Sequence, residues 1–163
     1  MTTLTSDVIE RAIRDIPDPE IPVISIDDLG IVRGIAVEEG TVHVTITPTY
    51  SGCPAIQAIT DQIVWTVGRH GLEAQVHTQL SPAWTTDWMS EEGRESLRRF
   101  GIAPPTGTRP VGPVTVPLSV RRVACPTCGS SDTEELSRFG STACKALRRC
   151  RACREPFEEF KTI

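Results

Sequence analysis

No stretch of this sequence approaches the ~20 uninterrupted apolar residues that a bilayer-spanning helix requires. The opening residues Met-Thr-Thr-Leu-Thr-Ser-Asp carry neither the basic head nor the apolar core of a secretory signal. A cytoplasmic location with no membrane contact is therefore expected. Gly-rich phosphate loops and dinucleotide fingerprints are also missing. No Glu-x-x-His pair offers the ligands of a carboxylate-bridged di-iron centre, and no Ser/His/Asp or Cys/His arrangement can be argued. His43, His70 and His77 are scattered, two of them on the outward phase of strands, and each reads as solvent-facing. There is no internal repeat and no low-complexity segment. What is missing is a catalytic constellation, so no catalytic residue is assigned and no activity of the chain's own is expected.

What is present suits an ordinary globular chain: 163 residues, 39% hydrophobic, 5% aromatic and 23% charged. The net charge of −4 hides an asymmetry, with 7 Lys/Arg against 15 Asp/Glu in residues 1–100 and 10 against 6 in residues 101–163. A basic end can signal an acidic or nucleic-acid partner. Four thiolates around a divalent cation would, however, bring two negative charges of their own, so the basic tail is partly a counterweight to its own site.

Residues 6–16 read as an amphipathic helix with Ser6 as N-cap, Val8, Ile9, Ala12, Ile13 and Ile16 on one face, and Pro17 closing it. The prolines of Asp18-Pro19-Glu20-Ile21-Pro22 enforce an extended loop. Residues 31–37 and 41–47 read as strands joined by a turn at 38–40, with Val42, Val44 and Ile46 facing inward. A loop over 48–53 leads into a helix that begins at Pro54 and buries Ile56, Ile59, Ile63, Val64 and Val67. Residues 72–80 alternate again, and Ser90 to Phe100 form a second capped helix with Glu91 and Glu92 in its first turn, where the dipole favours them. The order predicts an α/β (α+β) domain over 1–100, a small mixed sheet with helices packed on it. A Pro/Gly-rich linker over 101–120 and a small metal-stabilised ribbon over 121–163 follow.

The ribbon is expected from Cys125-Pro-Thr-Cys128-Gly129 and Cys150-Arg-Ala-Cys153. Two residues between cysteines let a tight turn aim both sulfurs at one ion while backbone N–H groups face the thiolates. Two such knuckles fill a closed tetrahedral shell, the usual structural zinc arrangement, leaving no open position for catalysis. The same shell also accepts iron or a labile cluster, and the bland alternative is a pair of redox or loose thiols. Gly129 relaxes the first knuckle, whereas Arg154 stands where Gly is favoured in the second and either strains it or sets a cation beside the sulfurs. With few apolar side chains, metal binding is expected to supply the module's folding energy. Cys144 reads as a spare, small buried residue, the alternative being that it replaces one of the four in a different shell.

Cys53 sits near the start of the second helix, where N–H groups and the helix dipole are expected to lower a thiol pKa. Thr49, Ser51 and Gly52 leave room beside it, and Asp18 and Glu20 are candidate oxygen ligands or hydrogen-bond partners. The alternative is that Cys53 is merely packed and Asp18 merely caps its turn.

These residues carry a resemblance. Asp18-Pro19-Glu20-Ile21-Pro22-Val23, Asp28-Leu29-Gly30-Ile31-Val32 and Thr49-x3-Cys53-Pro54 are similar to the SufT-like family of iron–sulfur cluster assembly factors. Trp84-Thr-Thr-Asp-Trp88, Glu92-Gly-Arg94, Gly101-Ile-Ala-Pro-Pro105 and 139–147, Phe-Gly-Ser-Thr-Ala-Cys-Lys-Ala-Leu, resemble the PaaD family of phenylacetyl-CoA epoxidase subunits. The resemblance implies a role in aerobic phenylacetate breakdown, where a multicomponent enzyme makes the ring epoxide with oxygen and reductant. Its oxygenase carries a di-iron centre, its reductase a flavin and an iron–sulfur cluster, and the PaaD-like subunit assists maturation of those centres. The implied partners are the oxygenase and reductase subunits and iron–sulfur assembly proteins. The implied cofactors are one structural zinc at Cys125, Cys128, Cys150 and Cys153 and transient iron or a cluster at Cys53, lined by Asp18, Glu20 and Thr49. The competing class is a zinc-ribbon adaptor for protein or nucleic acid, favoured by Phe139, Phe157, Phe160 and the basic residues between Lys145 and Arg154, and disfavoured by Glu155, Glu158 and Glu159.

Overall fold

A computed structural model describes residues 3–106 and 122–163, so most of the expected linker, 107–120, lies outside the described residues. The chain divides into two compact units: residues 1–84 with 88–93, and residues 85–87 with 94–163.

The first unit holds α1 (Thr3–Arg14), β1 (Val32–Glu38), β2 (Thr41–Ile46), α2 (Ala55–Gly68) and β3 (Glu73–Thr78). It is the mixed α+β arrangement that the pattern of apolar residues predicts. β1 and β2 are antiparallel, joined by Glu39 and Gly40 at φ 45° and 89°, the two-residue turn whose backbone matches strand twist. β2 and β3 are parallel, and α2 makes the crossover that parallel pairing demands. α2 packs on β3, and α1 packs on α2 and β1. Val42, Val44 and Ile46 are fully buried, as are Ile9 and Ile13 of α1 and Ile59, Ile63 and Val67 of α2. Each such aliphatic side chain contributes about 2 kcal/mol on burial.

Two helix faces differ from expectation. Val8 and Val64 are 46% and 47% exposed, so the buried stripes are narrower than the apolar residues suggest. One row of side chains per helix suffices against a three-stranded sheet. Ser6 is also not the N-cap: α1 begins at Thr3, and the Ser6 hydroxyl donates to Glu10 within the helix.

Between β3 and the next helix, Gly30 and Trp88 make a close backbone crossing. Gly30 takes φ +78°, and a Cβ built on it would lie 2.7 Å from the Trp88 carbonyl oxygen and Cβ. Arg33 lies 3.6 Å above the Trp88 ring. Ser90 caps α3 (Glu91–Phe100) as expected: its hydroxyl accepts the Gly93 N–H at 2.9 Å and donates to Asp28 at 2.6 Å.

The second unit is built on a four-stranded sheet of order β4-β7-β6-β5, with β4 (Ile102–Ala103), β5 (Thr133–Ser137), β6 (Lys145–Cys150) and β7 (Pro156–Phe160). β5, β6 and β7 are antiparallel neighbours. Ile102 and Ala103, inside the stretch read as linker, pair in parallel with Glu158 and Glu159 of β7. A small core of Ala103, Val123, Phe157 and the two inner cysteines, Cys125 and Cys150, underlies the sheet.

Candidate metal centre and the cysteine before the second helix

Cys125, Cys128, Cys150 and Cys153 come together, with all four sulfurs within 4.8 Å of one another. The turn at 126–128 carries the first pair, and the turn between β6 and β7 carries the second. Cys125 and Cys150 are buried while Cys128 and Cys153 are exposed, so the cluster sits at the rim of its own small core. The separations Cys125–Cys153, 3.8 Å, and Cys128–Cys150, 3.6 Å, test the fit to an ion. A tetrahedral centre with metal–sulfur bonds of about 2.3 Å needs sulfur–sulfur edges of about 3.8 Å. The four thiols could therefore bind a metal with little rearrangement.

The knuckles are backbone replicas. The Cys125 N–H donates to the Ser130 carbonyl at 2.9 Å, and the Cys150 N–H to the Glu155 carbonyl at 3.0 Å. Gly129 takes φ +75° and Arg154 takes φ +66°, so Arg154 adopts the left-handed conformation that glycine fills in the first knuckle. For a residue with a Cβ that costs about 1 kcal/mol. In return, Arg149, Arg151 and Arg154 line a hollow beside Cys150.

Protons leave this cluster unevenly. The Cys153 backbone N–H, with further help from Cys128 and the Ala152 N–H, draws the Cys150 thiol down to about 7 against the effect of burial. The Glu155 N–H favours the Cys153 thiolate, but burial and the three neighbouring sulfurs push it up to about 12. Accumulating thiolates without a cation to offset them is what this geometry resists. Cys144 lies apart from the four: it is buried, with its sulfur 3.0 Å from the Thr142 hydroxyl.

Cys53 departs from expectation. It is half-buried just ahead of Pro54, which occupies the cap position of α2 without a side-chain cap. Its thiol pKa is raised, not lowered. Burial is the largest cause; the Ala55 N–H at the helix start acts in the direction expected of the dipole but is outweighed, and the Glu20 carboxylate adds to the rise. The Thr49 and Tyr50 side chains hydrogen-bond to the thiol and pull the other way. Thr49 and Glu20 thus do lie beside Cys53, as does Tyr50, which sequence reasoning passed over although it stands in the same loop. Asp18 is buried, and its Oδ1 accepts the N–H groups of Glu20 (2.9 Å) and Ile21 (2.8 Å), which holds the loop that presents Glu20.

A prediction follows from the charges. Glu20→Gln should speed alkylation of Cys53 by iodoacetamide at neutral pH several-fold, by removing a charge that disfavours the thiolate. The pH at half-maximal rate should move down. An unshifted profile would mean that the Glu20 charge has no part in setting the thiol.

An α+β unit with a half-buried thiol ahead of a helix, followed by a four-cysteine ribbon, defines a class of protein. Residues 6–77 match the model of the iron–sulfur cluster assembly protein family, and residues 111–161 match the PaaD zinc beta ribbon domain. The chain is 51% identical over 150 residues to a protein of Escherichia coli (strain K12) provisionally named as one of the subunits of 1,2-phenylacetyl-CoA epoxidase, covering 91% of this chain and 87% of the relative. The chain belongs to the PaaD family. It is also 37% identical over 98 residues to an Fe-S protein maturation auxiliary factor of Porphyromonas gingivalis (strain ATCC BAA-308 / W83), over 57% of this chain and 90% of that one. The crystal structure of a DUF59 domain from Bacillus anthracis, 22% identical, shares the fold at a TM-score of 0.52 over 58% of this chain and 92% of that one. Among the described residues no helix is long and apolar enough to cross a membrane.

Proposed function

We propose that this chain is an accessory subunit of a phenylacetyl-CoA epoxidase system, acting in the cytoplasm to assist maturation of the iron or iron–sulfur centres of its oxygenase or reductase. The observation that carries the reading is the pairing, in one chain, of an iron–sulfur assembly domain with the PaaD ribbon, shared along most of its length with a relative named for that epoxidase. In this reading Cys125, Cys128, Cys150 and Cys153 hold one structural zinc, and the ion, closed in by four sulfurs, supplies folding energy and no open coordination position. Cys53 is the contact for transient iron or a cluster, with Glu20 and Thr49 beside it and Asp18 fixing the loop. A raised thiol pKa suits this task. The free thiol stays protonated and guarded against oxidation, and a metal cation displaces the proton when it arrives.

The adaptor reading for nucleic acid finds less support. Arg148 is bound to Glu159, and Arg149 and Arg151 both to Glu134, so these cations of the ribbon are already committed.

The test is co-expression of the oxygenase and reductase subunits with this chain or with its Cys53→Ala variant. The expected result is a folded variant that leaves the partners short of iron and at least tenfold less active in epoxidation. Full iron content and full activity with Cys53→Ala would return Cys53 to a packing role.

A further inference from the structure

The outward face of the first sheet carries a feature that neither the cysteine chemistry nor the maturation reading uses. His43 of β2 and His77 of β3 point to the same side. The parallel register sets His43 opposite Gln75 and Thr45 opposite His77, one step diagonally apart. Their imidazole rings stack with centroids 5.9 Å apart and planes 10° from parallel. His43 is half-buried, whereas His77 is exposed.

The surroundings leave the pair open. On β1, Ala36 faces His43 and Gly34 faces Thr45. A Cβ added at Gly34 would meet nothing within 4 Å. At one end of the same face, Glu38 and Glu73 flank Thr41 from the two neighbouring strands. They stand two residues from the His43 row, about 7 Å away along the strands. Glu38 and Glu39 also border, with His43, a surface hollow of about 550 Å³. The first hundred residues hold 15 Asp/Glu against 7 Lys/Arg, so this face lies in a negative field that concentrates cations.

We propose that His43 and His77 form a two-imidazole site for a divalent first-row transition-metal ion. Imidazole suits zinc, nickel, copper and iron, and rejects the oxygen-seeking calcium and magnesium. Nitrogen–metal bonds of about 2.1 Å at a tetrahedral angle place two imidazole centroids about 5.3 Å apart. The observed separation is 5.9 Å, and because each nitrogen lone pair lies in its ring plane, both rings must turn out of their near-parallel stack to meet one ion. Two protein ligands leave the remaining positions to water or to an incoming ligand, so the ion exchanges rather than staying as a structural part. This site does not depend on the role given to Cys53, and its failure would leave that role untouched.

The experiment uses the full chain with its four-cysteine site already loaded with zinc. Nickel(II) is titrated by calorimetry and, in parallel, on a ¹⁵N-labelled sample by NMR. One further equivalent should bind, with paramagnetic broadening centred on residues 42–44 and 76–78. His43→Asn and His77→Asn should each weaken that binding roughly tenfold or more, the scale on which even supporting groups around a metal act. His70→Asn should leave it unchanged. No binding beyond zinc in the wild type, binding that survives either strand substitution, or broadening centred elsewhere would overturn the proposal.

Discussion

Replacing Cys125 or Cys150 with Ser is expected to unfold the β5–β7 ribbon while residues 6–84 keep their fold. The ribbon has little else to hold it. Among the described residues its buried apolar side chains are few, chiefly Val123, Ala146, Phe157 and Phe160 with Ile102 and Ala103 of β4, and two of the residues completing that core are the inner cysteines themselves. Structural zinc sites contribute roughly 10–16 kcal/mol to small modules at neutral pH, more than the whole net stability of a typical domain. A missing sulfur forfeits much of that and leaves three thiols whose charges the geometry resists. Limited proteolysis checks the result: trypsin should cut at Arg149, Arg151 and Arg154 in the variants and be excluded in the zinc-loaded wild type. Cys144→Ser supplies the contrast. Its sulfur lies outside the cluster and touches the Thr142 hydroxyl, which a serine can still meet, so the tail should stay protected. An intact tail in both Cys125→Ser and Cys150→Ser would remove the metal from the account of stability.

The second large effect is expected at a residue with no functional group. Gly30→Ala puts a Cβ 2.7 Å from the Trp88 carbonyl oxygen and Cβ, on a backbone already at φ +78°. Neither neighbour can easily give way, because the contact is with backbone and Trp88 is pinned beneath Arg33 at 3.6 Å. Left-handed strain of about 1–2 kcal/mol and overpacking of about 1–3 kcal/mol combine to about 2–5 kcal/mol. Gly40 separates the two contributions. It has φ +89° but nothing within 4 Å of an added Cβ, so Gly40→Ala should cost only the strain. Urea denaturation of the zinc-loaded chain would give both numbers, and equal losses at the two sites would contradict a close crossing of Gly30 and Trp88.

Much of this was legible in the sequence because the signals are local. The alternation of Val42, Val44 and Ile46, the Glu39-Gly40 turn and Ser90 at the head of α3 each depend on residues a few positions apart, and all are as read. The two C-x2-C knuckles brought their sulfurs within reach of one ion for the same reason. Where partners are distant, reading failed. The pairing of Ile102 and Ala103 with β7 joins segments more than fifty residues apart, and prolines disguised it as linker. The exposure of Val8 and Val64 depends on how wide a sheet the helices must cover. The thiol of Cys53 carried a correct local cue, the N–H at a helix start, which burial and Glu20 from another loop reversed. His43 and His77 looked unrelated until a parallel register set them side by side.

The interleaving of the two units bears on how this chain can be taken apart. Thr85–Asp87 belongs with the ribbon's unit, and the chain then returns to the first unit for residues 88–93 before leaving it again. Thr86 donates its N–H to the Ile163 carbonyl at 3.2 Å, and Arg94 reaches the carbonyls of Thr86 and Pro105. An expression fragment cut after residue 100 would carry Thr85–Asp87 and most of α3 away from their partners in the second unit. A fragment starting at 121 would lack those residues and would also leave β7 without β4. The exchangeable cassette is therefore not a tail, and swapping ribbons between relatives requires moving the crossing at 85–94 with them.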